Sequence, residues 1–447
     1  MRRLLTLPRL WAAAVLLSVY LAVIFTWVYP ADFWWHLRYG ELTLQSGPPA
    51  TDPFTFTRGG QPFAYGYWLS DVVFAWVYAA TGLSAIVLLN ALLFTCGYGL
   101  VMRAAWHASG GRLRVAAGVT LCAFLLSVEN WAVRPQSLSV LGAGAALCLA
   151  AAYLTGALRP RWLTLLPLLM VVWANSHGAF LVGLVLLALA GAGALVQRSL
   201  TPAASVASPM PLVLASAASL AAAAVLTPLG LDLLPAALRV ASDPSVRGYA
   251  LEWAPTSLAT APGMVLGAVS LGTLAPLGAW LGGQLAQSTT EAKSPTLMPW
   301  LAYPTAALLA VLAVAALPFW RGSLPLAPAQ RALTPPDMPW GAADALAAVP
   351  PRRVFSDMQW ASYLAWRLPA DRNLFIDTRF ELFPPEQWEQ YGIISGGLAP
   401  GLLNELGVGA VLAHHERQGP LVAWLRQQPD WRPLFEDHYS SAWVREP

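Results

Sequence analysis

The chain has 447 residues, of which 57% are hydrophobic and only 11% are charged, and its mean hydropathy is +0.54. These values exclude an ordinary soluble domain and are typical of a protein embedded in a membrane. The net charge of +3 comes almost entirely from arginine, because Lys293 is the single lysine. No basic run or zinc-finger spacing accompanies that small excess, so a nucleic-acid partner is not expected.

Apolar runs predict about nine membrane spans, near residues 10–29, 83–102, 115–128, 137–156, 163–174, 179–197, 211–228, 259–283 and 299–318. The first run follows several arginines, as in a signal peptide. Its length and the lack of a small-residue cleavage site predict a retained span. Arginines gather at alternate ends of the spans, so the positive-inside rule predicts a cytoplasmic N-terminus and an external C-terminus.

The loop between the first two spans is long and predicted to be external. Its segment 29–41, YPADFWWHLRYGE, places a carboxylate, an imidazole and a guanidinium beside several aromatic rings within about two to three helical turns. Interfacial helices are predicted over 32–45 and 68–80, separated by a stretch rich in proline and glycine. The alternative is a Trp and Tyr belt at the membrane surface with incidental charges.

The composition changes after the last span. A proline-rich connector, PLAPAQRALTPPDMP, precedes short apolar strands that alternate with helical patterns. The sequence therefore predicts a polytopic α-helical membrane domain over 1–320 and a small external α/β domain over 321–447.

DFWWHLR resembles the DPWFNYR-type segment in the first external loop of the oligosaccharyltransferase catalytic subunit, a member of the GT-C superfamily of membrane glycosyltransferases. WANSHGAFLVG, ALEWAP and WASYLAWRLPADRNLFIDTRFELF are similar, in order, to later segments of that subunit. The DFWWHL, RPQ, WANSHG and EW segments also resemble a group of bacterial membrane proteins generally assigned to this superfamily. The chain departs from the subunit in two places. ENWAVRPQ offers only Glu129 where a pair of acids is usual, and Ser362 replaces the aspartate of the acceptor motif.

The resemblance implies a GT-C-like fold in a bacterial cytoplasmic membrane. It also implies transfer of a sugar from a polyprenyl-phosphate donor, in contact with membrane lipid, to a glycan, lipid or protein acceptor outside the cytoplasm. The implied catalytic carboxylates are Asp32, as the general base, and Glu252. Residues expected to contact substrate are Trp35, His36, Arg38, Arg134, Asn175, His177, Trp253, Asp377 and Arg379. Mg²⁺ or Mn²⁺ is a candidate cofactor, with Asp32 and Glu129 as ligands.

Structural explanations stay open for these side chains. They are a helix N-cap for Asp32, a surface loop for Glu252, an ion pair of Arg134 with Glu129, a packing role for His177 and an ion pair of Asp377 with Arg379. We expect one external cavity, roofed by the C-terminal domain, to gather Asp32, His36, Glu129, Arg134, His177 and Glu252.

A transporter and a non-catalytic scaffold that binds a partner are the competing function classes. No inverted repeat is visible and the predicted spans carry almost no charge, which argues against an ion-coupled transporter. Substitution of Asp32 separates an enzyme from a scaffold, because a scaffold would tolerate it.

Overall fold

A computed structural model describes residues 6–63, 66–200, 207–250, 299–368 and 374–446, together with 257, 259–260, 263–264 and 266–268. The described chain is mostly helical, with one small sheet near its C-terminus. Glu252, Trp253 and most of the predicted span 259–283 lie outside the described residues.

The helices before residue 320 are α1 (Leu7–Ile24), α2 (Phe33–Ser46), α3 (Trp68–Ala108), α4 (Leu113–Leu125), α5 (Gln136–Leu154), α6 (Leu165–Ala174), α7 (Phe180–Leu200), α8 (Met210–Val225), α9 (Leu233–Ser242), α10 (Pro244–Tyr249) and α11 (Pro299–Ala315). Within the described ranges α1, α3, α5 and α7 are long and apolar enough to cross a membrane, and the segments 210–225 and 230–242 form a further candidate bent by 118°. These apolar helices indicate a membrane-associated protein. The count of nine spans stays a prediction.

Both helices predicted in the first loop are present. α2 matches the predicted segment 32–45, and α3 begins at Trp68, as expected for the second. The backbone of α3 is interrupted at Gly82, which has a φ of 71°. Glycine adopts positive φ without the clash of a Cβ atom, so the chain can turn there from the short first helix into the predicted span.

The C-terminal part alternates helices and strands, as the sequence predicts. Its elements are α12 (Pro328–Arg331), α13 (Trp340–Ala347), β1 (Val354–Ser356), α14 (Met358–Arg367), α15 (Pro385–Ser395), α16 (Leu402–Glu405), β2 (Ala410–His414), α17 (Gly419–Leu425), β3 (Trp431–Glu436) and β4 (Ser440–Arg445). The sheet order is β1-β2-β4-β3; β1 pairs in parallel with β2, and the other two pairs are antiparallel.

The first loop adds to the edge of this sheet. Thr55 and Leu374 form a parallel bridge, and Leu374 bridges in parallel to Val354 of β1. The amide of Phe56 donates to the Leu374 carbonyl at 3.0 Å, and the Leu374 amide donates to the Phe54 carbonyl at 2.9 Å. The first loop and the C-terminal part are therefore held together by backbone hydrogen bonds, which fixes their relative positions near α2.

α2 is buried between α3 and the C-terminal part. Trp34 is 1% exposed, and its ring packs against Tyr78 of α3 and Tyr363 of α14 with ring centroids 6.3 and 5.1 Å away. The hydroxyl of Ser362 accepts the Trp35 amide at 2.9 Å. The first amides of a helix have no partner within the helix, and a nearby cap residue normally accepts them. Here Ser362 of α14 accepts the Trp35 amide instead, which anchors the start of α2.

Candidate functional site

A cavity of about 340 Å³ lies where the start of α2, the start of α5, the link between α6 and α7, and the C-terminal part meet. Its charged or titratable lining residues are Asp32, His36, Tyr67, Arg134, His177, Tyr249, Arg379 and Glu381, and Trp35 and Phe380 add further aromatic rings. The sequence analysis named Asp32, Trp35, His36, Arg134, His177 and Arg379 as site residues, and the structure brings these six together.

Asp32 and Arg134 form the central ion pair of this cavity. Asp32 occupies the N-cap position of α2, but its carboxylate accepts no hydrogen bond from the first turn among the described residues. Instead, its Oδ2 lies 3.1 Å from the Nε of Arg134, with the two side chains 22% and 27% exposed. The N-cap explanation is therefore confirmed for the position of Asp32 but not for the side-chain hydrogen bond that an N-cap residue normally accepts. The structure gives Arg134 an acid partner in Asp32, whereas the sequence analysis suggested Glu129.

The helical period explains which α2 residues reach the cavity. Asp32, Trp35 and His36 are separated by three and four positions, so their side chains share one face of the helix. Arg38 lies two positions beyond His36 and projects from another face, where its Nη1 pairs with Glu41 at 3.0 Å. Arg38 therefore does not line this cavity, and its contact with a substrate stays a prediction.

Three other predicted residues lie outside the cavity wall. Glu129 is exposed in the short turn 128–130 that follows α4. Asn175 is buried, and its side chain accepts from the Trp68 indole at 2.8 Å and donates to the Leu226 carbonyl at 3.0 Å. Asp377 is fully buried behind Arg379. Glu129 and Asn175 therefore do not line the cavity. Asp377 does not line it either, but it pairs with Arg379, which does.

His177 presents a neutral imidazole to the cavity. The Ala179 amide donates to its Nδ1 at 3.2 Å, so in this arrangement the ring proton sits on Nε2. Ser139 Oγ, which accepts from the Trp173 indole at 2.8 Å, lies 2.9 Å from the same Nδ1. Burial, together with a smaller effect of the neighbouring His36, lowers the pKa of His177 to about 4. His177 is therefore a hydrogen-bond donor at neutral pH.

This environment predicts a pH-dependent stability. The pKa of His177 is about 4 in the folded protein and about 6.5 in an unfolded chain, so between these values the unfolded state binds more protons. Its contribution is fully present above pH 6.5 and is lost as the pH falls towards 4, by at most about 1.4 kcal/mol per pH unit. Melting temperatures measured across this window should fall less in His177→Gln than in the wild type. An equal slope in the two proteins would contradict the assignment.

Arg379 is held by two buried carboxylates that the sequence analysis did not combine. Its Nη2 lies 2.6 Å from both Asp52 of the first loop and Asp377. The guanidinium also lies 4.9 Å from the ring centroids of both Phe54 and Phe63. The predicted pair with Asp377 is confirmed, and Asp52 is added to it. Among the described residues Nη1 of this buried arginine has no hydrogen-bond partner.

Tyr67 and Glu381 are cavity residues that sequence reasoning missed. Desolvation by the surrounding protein raises the pKa of the Glu381 carboxyl. The residue is nevertheless exposed to solvent. Burial, together with a smaller effect of the Glu381 charge, raises the pKa of Tyr67 to about 12. The only signal for Glu381 was its position two residues after Arg379, which no motif marked.

The predicted metal site does not match the lining of the cavity. Asp32 lies in the cavity wall and pairs with Arg134, whereas Glu129 does not line the cavity. Across the part of the chain that the structure describes, no three His, Cys, Asp or Glu side chains are grouped to hold a metal ion. These two residues do not fit as joint ligands in this cavity, and a role for Mg²⁺ or Mn²⁺ stays a prediction.

Comparison with protein-family models finds no match for this chain, and comparison with curated proteins finds no similar sequence.

Proposed function

We propose that the protein is a membrane glycosyltransferase of the GT-C type, which moves a sugar from a polyprenyl-phosphate donor to an acceptor. The observation that carries the proposal is the composition of the cavity, where an Asp–Arg pair, two histidines and a second arginine meet several aromatic rings. A mostly apolar pocket with a few convergent polar groups is typical of a small-molecule site. Its position at the starts of the apolar helices α5 and α7 favours a donor that enters from the lipid.

The phosphate of the donor is the group that the arginines would bind. Guanidinium groups bind phosphate through paired N–H donors, and such charge-assisted bonds are stronger than neutral ones. Arg134 lies at the cavity wall with its Nε directed to Asp32, and Arg379 is fixed by two buried carboxylates. When the bond from the anomeric carbon to phosphate breaks, the Arg134 guanidinium would stabilise the departing phosphate, and Nη1 of Arg379 would add a hydrogen-bond donor.

The sugar itself would lie against the aromatic and acidic side chains. Trp35, Tyr249 and Phe380 line the cavity and would contact the apolar face of a pyranose, and Asp32 and Glu381 would offer carboxylate oxygens to its hydroxyls. In our proposal this cavity faces the outside of a bacterial cytoplasmic membrane, in accord with the predicted cytoplasmic N-terminus. The acceptor is a glycan, a lipid or a protein.

Arg134→Lys tests the phosphate role. Lysine keeps the charge but cannot form the paired N–H contacts, so we expect the KM for a polyprenyl-phosphate sugar to rise roughly tenfold or more. Arg239→Lys is the matched control, because Arg239 also pairs with an aspartate, Asp232, but lies outside the cavity wall. Transfer is measured in liposomes that contain the purified protein. Equal KM values for Arg134→Lys and the wild type would argue against phosphate binding by Arg134, and a transporter or scaffold would release no free polyprenyl phosphate at all.

A further inference from the structure

His36, which lines the cavity, forms an acid–base pair with Asp71 behind it. Nδ1 of His36 lies 2.9 Å from Oδ1 of Asp71, whose side chain is completely buried. The Ser70 hydroxyl, which donates to the Tyr67 carbonyl at 2.8 Å, lies 3.3 Å from the same oxygen. Trp35 stacks on the imidazole with ring centroids 3.6 Å apart, so the ring has one fixed orientation.

A close approach of two helices creates this pair. A Cβ atom on Gly40 of α2 would lie 2.0 Å from the backbone oxygen of Asp71 in α3, so only glycine allows the helices to come this near. His36 lies four residues before Gly40, on the same face of α2. The contact at Gly40 therefore brings the His36 ring directly against Asp71.

The bond to Asp71 determines which nitrogen of His36 can do chemistry. An ionised carboxylate only accepts hydrogen bonds, so the ring proton sits on Nδ1 and Nε2 is the basic nitrogen. His36 is one of the residues that line the cavity. His177 has the opposite arrangement, because its Nδ1 accepts the Ala179 amide. The cavity thus contains one imidazole arranged to accept a proton and one arranged to donate a hydrogen bond.

Asp32, the other candidate base, forms an ion pair with an arginine. The Asp32 carboxylate, which the sequence predicted as the base, pairs with the Arg134 guanidinium at 3.1 Å. A carboxylate in that position is suited to hold the arginine and to orient a hydroxyl. His36 has behind it a buried carboxylate that can stabilise an imidazolium, the arrangement by which a histidine base is oriented in hydrolytic triads.

We propose that His36 is the general base of sugar transfer and that Asp71 is its positioning residue, an inference that rests on the proposed glycosyltransferase function. Nε2 of His36 takes the proton from the acceptor hydroxyl as its oxygen forms a bond to the anomeric carbon of the donor. The bond from that carbon to the phosphate oxygen breaks, and its electron pair leaves with the polyprenyl phosphate. The imidazolium, stabilised by Asp71, then returns the proton to the phosphate or to water.

His36→Asn is the first test, because the asparagine amide can still donate to Asp71 but provides no base. We expect kcat for transfer from a polyprenyl-phosphate sugar to fall roughly a hundredfold, the usual cost of losing general-base catalysis, with the donor KM within about threefold of the wild type. His415→Asn is the matched control, since His415 also lies beside a carboxylate, Glu436 at 3.9 Å, outside the cavity wall.

Two further variants separate catalysis from packing. His36→Ala should recover at least about tenfold in rate with added imidazole, which a purely structural loss would not. Asp71→Asn should also lower kcat, and the double variant His36→Asn with Asp71→Asn should be no slower than His36→Asn alone, because residues that act as a unit are not additive.

The outcomes distinguish this inference from the proposed function. If the wild type transfers sugar and His36→Asn is equally fast, His36 is not the base. The same holds if His36→Ala is slow and imidazole does not restore its rate. Neither result would contradict the proposed glycosyltransferase function. A folded wild type that binds the donors but transfers none of them would overturn both.

Discussion

Asp32→Asn is expected to lower the rate of sugar transfer by about a hundredfold or more while leaving the stability of the protein unchanged. The substitution keeps the size of the side chain but removes the charge that pairs with Arg134 at 3.1 Å. The arginine loses its fixed partner, and the site loses a carboxylate that can accept a hydroxyl, effects of the size seen when one oriented catalytic group is removed. Asparagine suits the N-cap position as well as aspartate does, so α2 should still form.

The control for this variant is Asp232→Asn. Asp232 also stands at the N-cap position of a helix, α9, and also pairs with an arginine, but it lies outside the cavity wall. Transfer from a polyprenyl-phosphate sugar and the melting temperature are measured for both variants. Equal transfer by Asp32→Asn and the wild type would show that catalysis does not need the Asp32 carboxylate.

Arg379→Met is expected to cause the largest loss of stability, about 3–5 kcal/mol in the free energy of unfolding. The side chains of Arg379, Asp52 and Asp377 are all at most 1% exposed, so removal of the cation leaves two buried carboxylates without a countercharge. Asp52 belongs to the first loop, so the loss should also loosen the contact between that loop and the C-terminal part. Unfolding in detergent, followed by tryptophan fluorescence, measures the effect.

Arg367→Met is the matched control for this stability test. Arg367 pairs with Asp344 on the surface, with side chains 39% and 60% exposed, and surface pairs contribute about 0–1 kcal/mol. Adding Asp377→Asn to Arg379→Met should restore part of the stability, because one buried charge is removed. A single variant Arg379→Met that unfolds like the wild type would mean that Arg379 does not stabilise the two buried carboxylates.

Local sequence patterns predict the elements of this protein well. The apolar runs coincide with eight described helices, and the break between the two predicted segments around residue 82 is real, since Gly82 has positive φ. The spacing of Asp32 and His36 along one helix also places both in the cavity correctly. Each of these predictions depends on residues within a few positions of one another, where helical period and glycine conformation decide the outcome.

Contacts between distant segments could not be read from the sequence. Ser362 bonds the start of α2 from α14, and Asp52 meets Arg379 across 327 positions. Asp71 lies within the predicted interfacial helix 68–80, and the close contact at Gly40 places it against His36. These pairings depend on how helices and loops pack against each other, which a local sequence pattern does not predict. Arg38 shows the converse, because it is close to Asp32 in sequence but projects from another face of α2, where it pairs with Glu41.

The most direct test of the central claim uses the purified wild-type protein in liposomes, with a panel of tritium-labelled polyprenyl-phosphate hexoses and pentoses and bacterial membranes as the acceptor source. The proposed function predicts that at least one donor is consumed, and that free polyprenyl phosphate and labelled acceptor appear in equal amounts. A folded protein that binds these donors and forms neither product would contradict the assignment of this cavity to sugar transfer.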